Sequence, residues 1–382
     1  MENLGAGQAP LVASPDDYSP NGDKSSSSDD DSDLDALVPE RRLFWWRDLT
    51  VALGMPTCES VGIGNPSLCF QPVVVTLDEA TTRYLVQTLR TLPATFADEG
   101  RSMFIHPKLM RTMPVDRLTT KIFALCRFAT RLRSSADRRV ASQDLELRTQ
   151  ELINHVDRSR PGIQGLLIAV QALMMSQITL TIGALSNGIS DPAPVAKRAA
   201  GFKTLSRWSW KLWELAPWSL PNALDAKQAW LFAESVRRTL LTSHLMCDTF
   251  AVVYTGVFKF SGFISTLPYD CRTQLWDNPD GPGDGLEEDC YGNVKSELLS
   301  FRQLVTLFEE GDLTAKDVGN FERFMLVACR GHRMVMNRIG LPMGDWWYST
   351  VDMSPGWDSF GLPNRAVSAG AVAMCSKFDC HT

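Results

Sequence analysis

From Gly162 to Leu185 the chain reads "GIQGLLIAVQALMMSQITLTIGAL", 24 residues without one charged side chain. As a helix, a stretch of that length could cross a bilayer. It also carries Gln164, Gln171, Ser176 and Gln177, whose polar groups would each need a partner in lipid. Only one such stretch is present. A helix that is apolar all round and dotted with polar side chains predicts the core of a helical protein, wrapped by other elements. That helix constrains everything else, because its neighbours must each offer an apolar face.

The flanking sequence meets that demand with helical periodicity. Residues 79–92 place Ala80, Tyr84, Leu85, Leu89 and Leu92 near one face. From Asp116 to Ser134, apolar residues fall at 118, 122, 125, 126, 129 and 132. Pro114 precedes Asp116, which reads as the N-cap of a helix beginning at Arg117. Further helices are predicted over 145–157 and 162–181, and one long or broken helix runs from Ala226 to Phe258. Leu298–Phe308 and Thr314–Asn337 complete the series, the latter with Val318, Phe321, Met325, Ala328, His332 and Val335 on one face. The best strand candidate, "CFQPVVVTL", is weakened by Pro72. Loops are predicted at 186–194 and at 277–289, the second rich in Gly, Pro and acid and expected to be mobile. After Leu341 the chain gathers Trp, Gly and Pro and yields no element. The fold class is all-α, one helical domain over 41–382.

Residues 1–40 are of a different kind. They hold ten acidic residues and one lysine, a charge of −9, whereas the whole chain carries −6 and the remainder therefore +3. A Ser/Asp-rich segment with so little apolar surface is expected to be disordered, as a solubilising tail or an acidic interaction or phosphorylation segment. The near-neutral remainder has no global basic field to hold nucleic acid. Nine cysteines, odd in number and irregular in spacing, read as reduced, small buried hydrophobes and point to a reducing compartment.

No cofactor motif is legible. There is no pair of Cys-x-x-Cys knuckles, no His-Glu-x-x-His, no Gly-rich nucleotide loop and no Gly-x-Ser-x-Gly elbow. Cys375, Cys380 and His381 supply only three potential ligands at a chain end, and no metal is expected there. Two basic clusters stand out, "ERRLFWWR" at 40–47 and "RLRSSADRR" at 131–139. The second, with Arg131, Arg133, Arg138 and Arg139, reads either as a solvated helix end or as a nuclear-import or phosphate-contact patch. In "FIHPKLMRTMP", residues 104–114, Pro107 biases His106 toward an extended backbone. His106 is therefore expected to tie a corner between helices rather than act as a base.

Four segments, in order, carry a resemblance. They are "LPATFADEGRSMFIHPKLM", "GLLIAVQALMMSQITLTIGAL", "AWLFAESVRRTLLTSHLM" and "STLPYDCRTQLWD". Together they span about residues 66–280. The layout resembles the regulatory domain of fungal zinc-cluster transcription factors, particularly regulators of secondary-metabolite pathways. The resemblance singles out Phe104, His106, Pro107, Trp230, Glu234, Arg237 and Arg238 as a signature, architectural rather than catalytic. It implies a nuclear, non-enzymatic transcriptional regulator without cofactor, working through regulatory protein partners and able to form homo- or hetero-oligomers, with no membrane. The family reads DNA through six N-terminal cysteines, but the first cysteine here is Cys58. DNA contact is thus expected only indirectly or through a zinc cluster not in this sequence, as a natural accessory form or a truncated gene reading. The alternative is a helical enzyme or accessory protein of a biosynthetic pathway, with a cavity around Trp208, Trp210, Trp213 and Trp218.

Overall fold

The computed structural model describes residues 73–113, 115–185, 193–215, 226–255, 258–260, 264, 267–277, 298–313 and 318–339. The acidic segment 1–40, the region 41–72, most of the loop near 277–289 and the C-terminal stretch beyond Ile339 lie outside them. The described residues form an all-α fold of eleven helices. In chain order these are α1 (Glu79–Glu99), α2 (Pro107–Thr112), α3 (Arg117–Ala129), α4 (Ser135–Ser159) and α5 (Ile163–Leu185). Then come α6 (Ala193–Leu215), α7 (Ala226–Thr255), α8 (Thr273–Asp277), α9 (Phe301–Glu310), α10 (Asn320–Arg330) and α11 (His332–Ile339). Four three-residue strands add two small antiparallel ladders. β1 (Val73–Val75) pairs with β2 (Phe258–Phe260), and β3 (Pro268–Asp270) with β4 (Leu298–Ser300).

Helix α5 is the uncharged stretch, and it sits at the centre. It is long and apolar enough to span a membrane, yet its faces are covered by α1, α3, α4, α6 and α7. Gln171, Ser176 and Gln177 are buried with it, and Gln171 is the best partnered of them. The Gln171 amide donates to the Phe104 carbonyl (2.8 Å), Ser235 Oγ (2.9 Å) and Thr239 Oγ1 (3.1 Å). One side chain thereby joins the central helix, the corner before α2 and helix α7. Where α5 and α6 cross, a Cβ on Gly201 would come within 2.5 Å of Gln177 Nε2. A larger residue there would have to displace the Gln177 side-chain amide.

Several boundaries differ from the sequence expectation. α1 does not stop at Leu92 but continues through Pro93 to Glu99 and ends on Gly100 in the left-handed region. An interior proline costs about 3 kcal/mol. Here the turn beyond it carries Phe96 and Ala97, both buried with Leu92, and that burial offsets the lost backbone bond. α4 starts ten residues earlier than its apolar pattern, at Ser135, because its first turns are exposed on all sides and show no periodicity. α6 has no counterpart in the periodicity reading. The 226–258 expectation resolves into the unbroken α7 followed by β2. The single helix expected over 314–337 is broken at Gly331, where φ is +82°. Its expected face is buried nonetheless, at Val318, Phe321, Met325, Ala328, His332 and Val335. The break lets the His332 amide donate to Thr81 Oγ1 (2.9 Å), tying α11 to the start of α1.

Gln171→Leu keeps the volume of the site and removes the two N–H groups that its three acceptors share. Leaving buried acceptors short of a donor costs about 1–3 kcal/mol. We expect the variant to fold with a melting temperature lowered by several degrees, as read by calorimetry.

Candidate functional site

The signature residues converge. α7 carries Trp230, Glu234, Arg237 and Arg238 on successive turns, all buried. The Glu234 carboxylate is 0% exposed. One of its oxygens accepts from Arg237 Nε (2.8 Å) and from the Asp270 backbone amide (3.0 Å). The other accepts from Arg238 Nε (2.7 Å). The spacings i+3 and i+4 bring both arginines back over the same turn. On a helix surface such pairs are worth only about 0.2–0.5 kcal/mol. Here the groups are fully dehydrated, and removing one partner leaves a buried charge uncompensated.

Asp270, at the end of β3, is the second hub. It accepts from the Trp230 indole N–H (2.8 Å) and from the Arg272 backbone and guanidinium (2.8–3.1 Å). Burial by itself raises the Asp270 pKa. The bonds from Arg272 and Trp230 and the nearby Arg237 charge outweigh it and hold the carboxyl below its ordinary value. The Arg238 guanidinium lies between two aromatic faces, 4.6 Å from the Trp276 ring centre and 4.5 Å from that of Phe321. Arg is well suited to such stacking because its planar cation is weakly hydrated.

Glu322, on α10, faces the other side of this arginine at 3.7 Å from Arg238 Nη2. That is an ion contact beyond hydrogen-bonding range. Burial pushes the Glu322 carboxyl up to about 7, against the Arg238 charge, which lowers it.

The "FIHP" corner closes the site. The Phe104 carbonyl accepts from Gln171 and from Ser235 Oγ (3.1 Å). His106 Nδ1 accepts from the Lys108 amide (3.3 Å), so the imidazole is the N-cap of α2, with Pro107 at its first turn. The His106 ring stands edge-on to Trp276 at 5.1 Å. Phe104, His106, Pro107 and the α7 residues thus meet through Gln171, Ser235 and Trp276. Asp270, Arg272, Trp276, Phe321 and Glu322 belong to the same network and were not singled out by the sequence. Their signal was present: a carboxylate inside "FERFMLVA" and an Asp-x-Arg just after a Tyr in "LPYDCR".

The arginine cluster lies elsewhere. Arg131 and Arg133 fall in the α3–α4 turn, and Arg138 and Arg139 in the first turns of α4, all exposed. Three of the four tryptophans of the alternative reading, Trp208, Trp210 and Trp213, are described, all on α6. The Trp208 indole donates to Asp157 (3.1 Å), and that of Trp210 to Glu214 (2.9 Å) on its own helix. Trp218 lies outside the described residues. No group of three or more His, Cys, Asp or Glu able to hold a metal occurs among the described residues. Cys375, Cys380 and His381 lie outside them. Cys126 and Cys329 are thiols that burial pushes up to about 12, far from reactive thiolates.

Comparison with curated proteins finds similarity to the transcription factor gsfR2 of Penicillium aethiopicum, 26% identical over 193 residues. The match covers 47% of this chain and 45% of that protein, so the chain spans less than half the length of this relative. The chain is distantly related to a fungal transcription factor. No family model matches, and no solved structure matches.

Two variants test the electrostatics of the site. Glu234→Gln strands two buried guanidinium groups and is expected to cost about 3–5 kcal/mol, against about 1 kcal/mol or less for Arg83→Ala in the exposed Glu79 pair. Chemical denaturation reads both. Glu322 has its folded pKa raised from 4.5 to about 7. Its contribution to stability is thus fully present below pH 4.5 and is lost as pH rises through 7, by up to about 3 kcal/mol. Glu322→Gln should flatten the melting temperature over that window.

Proposed function

We propose that this protein is a transcription regulator of fungal secondary metabolism, nuclear and not an enzyme. The observation that carries this reading is the similarity to a fungal transcription factor, on a chain whose signature side chains are turned on one another. Glu234 and Asp270 answer named donors of the same network, and Glu322 faces the Arg238 cation with neither oxygen hydrogen-bonded. The set holds α7, α8, α10 and the "FIHP" corner in one arrangement. It serves a rigid regulatory scaffold better than it serves proton transfer, which needs a group free to meet a substrate. The scaffold would act through protein partners, with DNA reached only through them or through a zinc cluster outside this sequence.

Deleting the gene in the host fungus, with transcript profiling, tests the reading. A coordinated change in a set of biosynthetic transcripts is expected, with a fluorescent fusion of the full chain concentrated in the nucleus. Unchanged transcripts with one metabolic conversion lost would contradict it. A sequence-selective complex between the purified chain and duplex DNA at physiological salt would leave the regulatory reading standing and overturn only its indirect contact with DNA, because true readers bind specific sites about 10³–10⁷ times more tightly than others.

A further inference from the structure

The corner between α3 and α4 combines two features. The first is positive charge. Arg131 is tied to the end of α1, 3.6 Å from Asp98 and donating to the Ala97 carbonyl (3.2 Å). Arg133, Arg138 and Arg139 are exposed and have no carboxylate within 4.0 Å among the described residues. The second is apolar surface. Among the described residues, the exposed large hydrophobics are Phe128 (55%), Val140 (66%), Leu147 (55%) and Met334 (44%). Three of those four are on α3 and α4. α4 buries Ala141, Leu145, Leu152 and Val156 against its neighbours. Val140 and Leu147, seven residues apart, share a stripe on its opposite, outward face.

The charge changes along this surface. Arginines outnumber the one carboxylate, Asp137, at the start of α4, whereas Asp144, Glu146 and Glu151 follow further on with one arginine, Arg148, which pairs with Asp144 and Glu151. A phosphate backbone running along the helix would meet those carboxylates beside Leu147. A segment that is acidic first and apolar second fits the sequence of chemistry better. The chain contains one. "DDDSDLDALV", residues 29–38, has Asp29, Asp30, Asp31, Asp33 and Asp35, no base, and Leu34, Leu37 and Val38 toward its end.

We propose that residues 29–38 of the chain dock on this corner. The aspartates face Arg133, Arg138 and Arg139, and Leu34, Leu37 and Val38 cover Val140 and Leu147. The reach is adequate. Val73 lies 38 positions beyond Asp35; taken as a coil, such a stretch spans about 31–37 Å. The corner abuts the C-terminal end of α1, and the 21 residues of α1 measure about 30 Å from its start to that end. A tether matched to its span maximises the effective concentration of the docked segment. The basic corner is then internally occupied, and an outside acidic partner must compete for it.

The full chain with Gln143→benzoylphenylalanine tests this, since Gln143 is exposed between Val140 and Leu147. On irradiation, crosslinks within one molecule to peptides covering 29–38 are expected. Their yield should fall roughly tenfold from about 0.1 M to about 1 M salt, as the Debye length shrinks from about 10 Å to about 3 Å. It should fall likewise in R133E/R138E/R139E, whose exposed positions leave the fold and melting temperature unchanged. It should return when D29K/D30K/D31K is added to that triple variant. Crosslinks to other parts of the chain, crosslinks only between copies, or a yield indifferent to charge reversal would each overturn the proposal.

Discussion

The carboxylate of Glu234 is the point on which the described structure turns. It is fully buried, and it holds three donors from two elements: Arg237 and Arg238 of its own helix and the Asp270 amide at the end of β3. Fixing Asp270 fixes what Asp270 holds, namely the Trp230 indole and Arg272. Fixing Arg238 fixes the stack of Trp276 and Phe321, and through Trp276 the His106 ring. A buried charge left without its partner is costly. The helices around Glu234 are therefore constrained to arrive together, in one register.

Much of this was legible in the sequence, for identifiable reasons. The uncharged stretch 162–185 announced a core helix, and Asp116 announced the start of α3, because burial and capping leave local marks. Arg237 lies on a largely apolar helix, where a buried guanidinium needs a carboxylate, and the acid is Glu234, three residues earlier. Other features left no local mark. The passage of α1 through Pro93 depends on tertiary burial of Phe96 and Ala97. The first turns of α4 are solvated on every side and carry no period. Asp270 and Glu322 lie 36 and 88 residues beyond Glu234, and no spacing rule connects strand ends to a helix at such separations.

His106 shows how a residue type can mislead about role. A histidine between two helices invites an acid–base reading, yet its Nδ1 is occupied in capping α2 and its ring is packed against an indole. Glu322 is the converse. It sits in an unremarked helix, but burial brings its carboxyl to about 7, within the range where modest changes of environment alter its charge. The inner network and the exposed arginines are separate features: the first is buried and joins α7, α8, α10 and the corner before α2, and the second faces solvent at the start of α4.

Hydrogen exchange at the Asp270 amide tests the central claim most directly. This N–H is buried and donates to Glu234 at 3.0 Å. If the network locks the fold, the amide should exchange only through global unfolding, with a protection free energy equal to the stability measured by denaturant. Exchange at the rate of a surface loop, in a protein whose α5 amides stay protected, would show that the network opens on its own and does not hold the structure together.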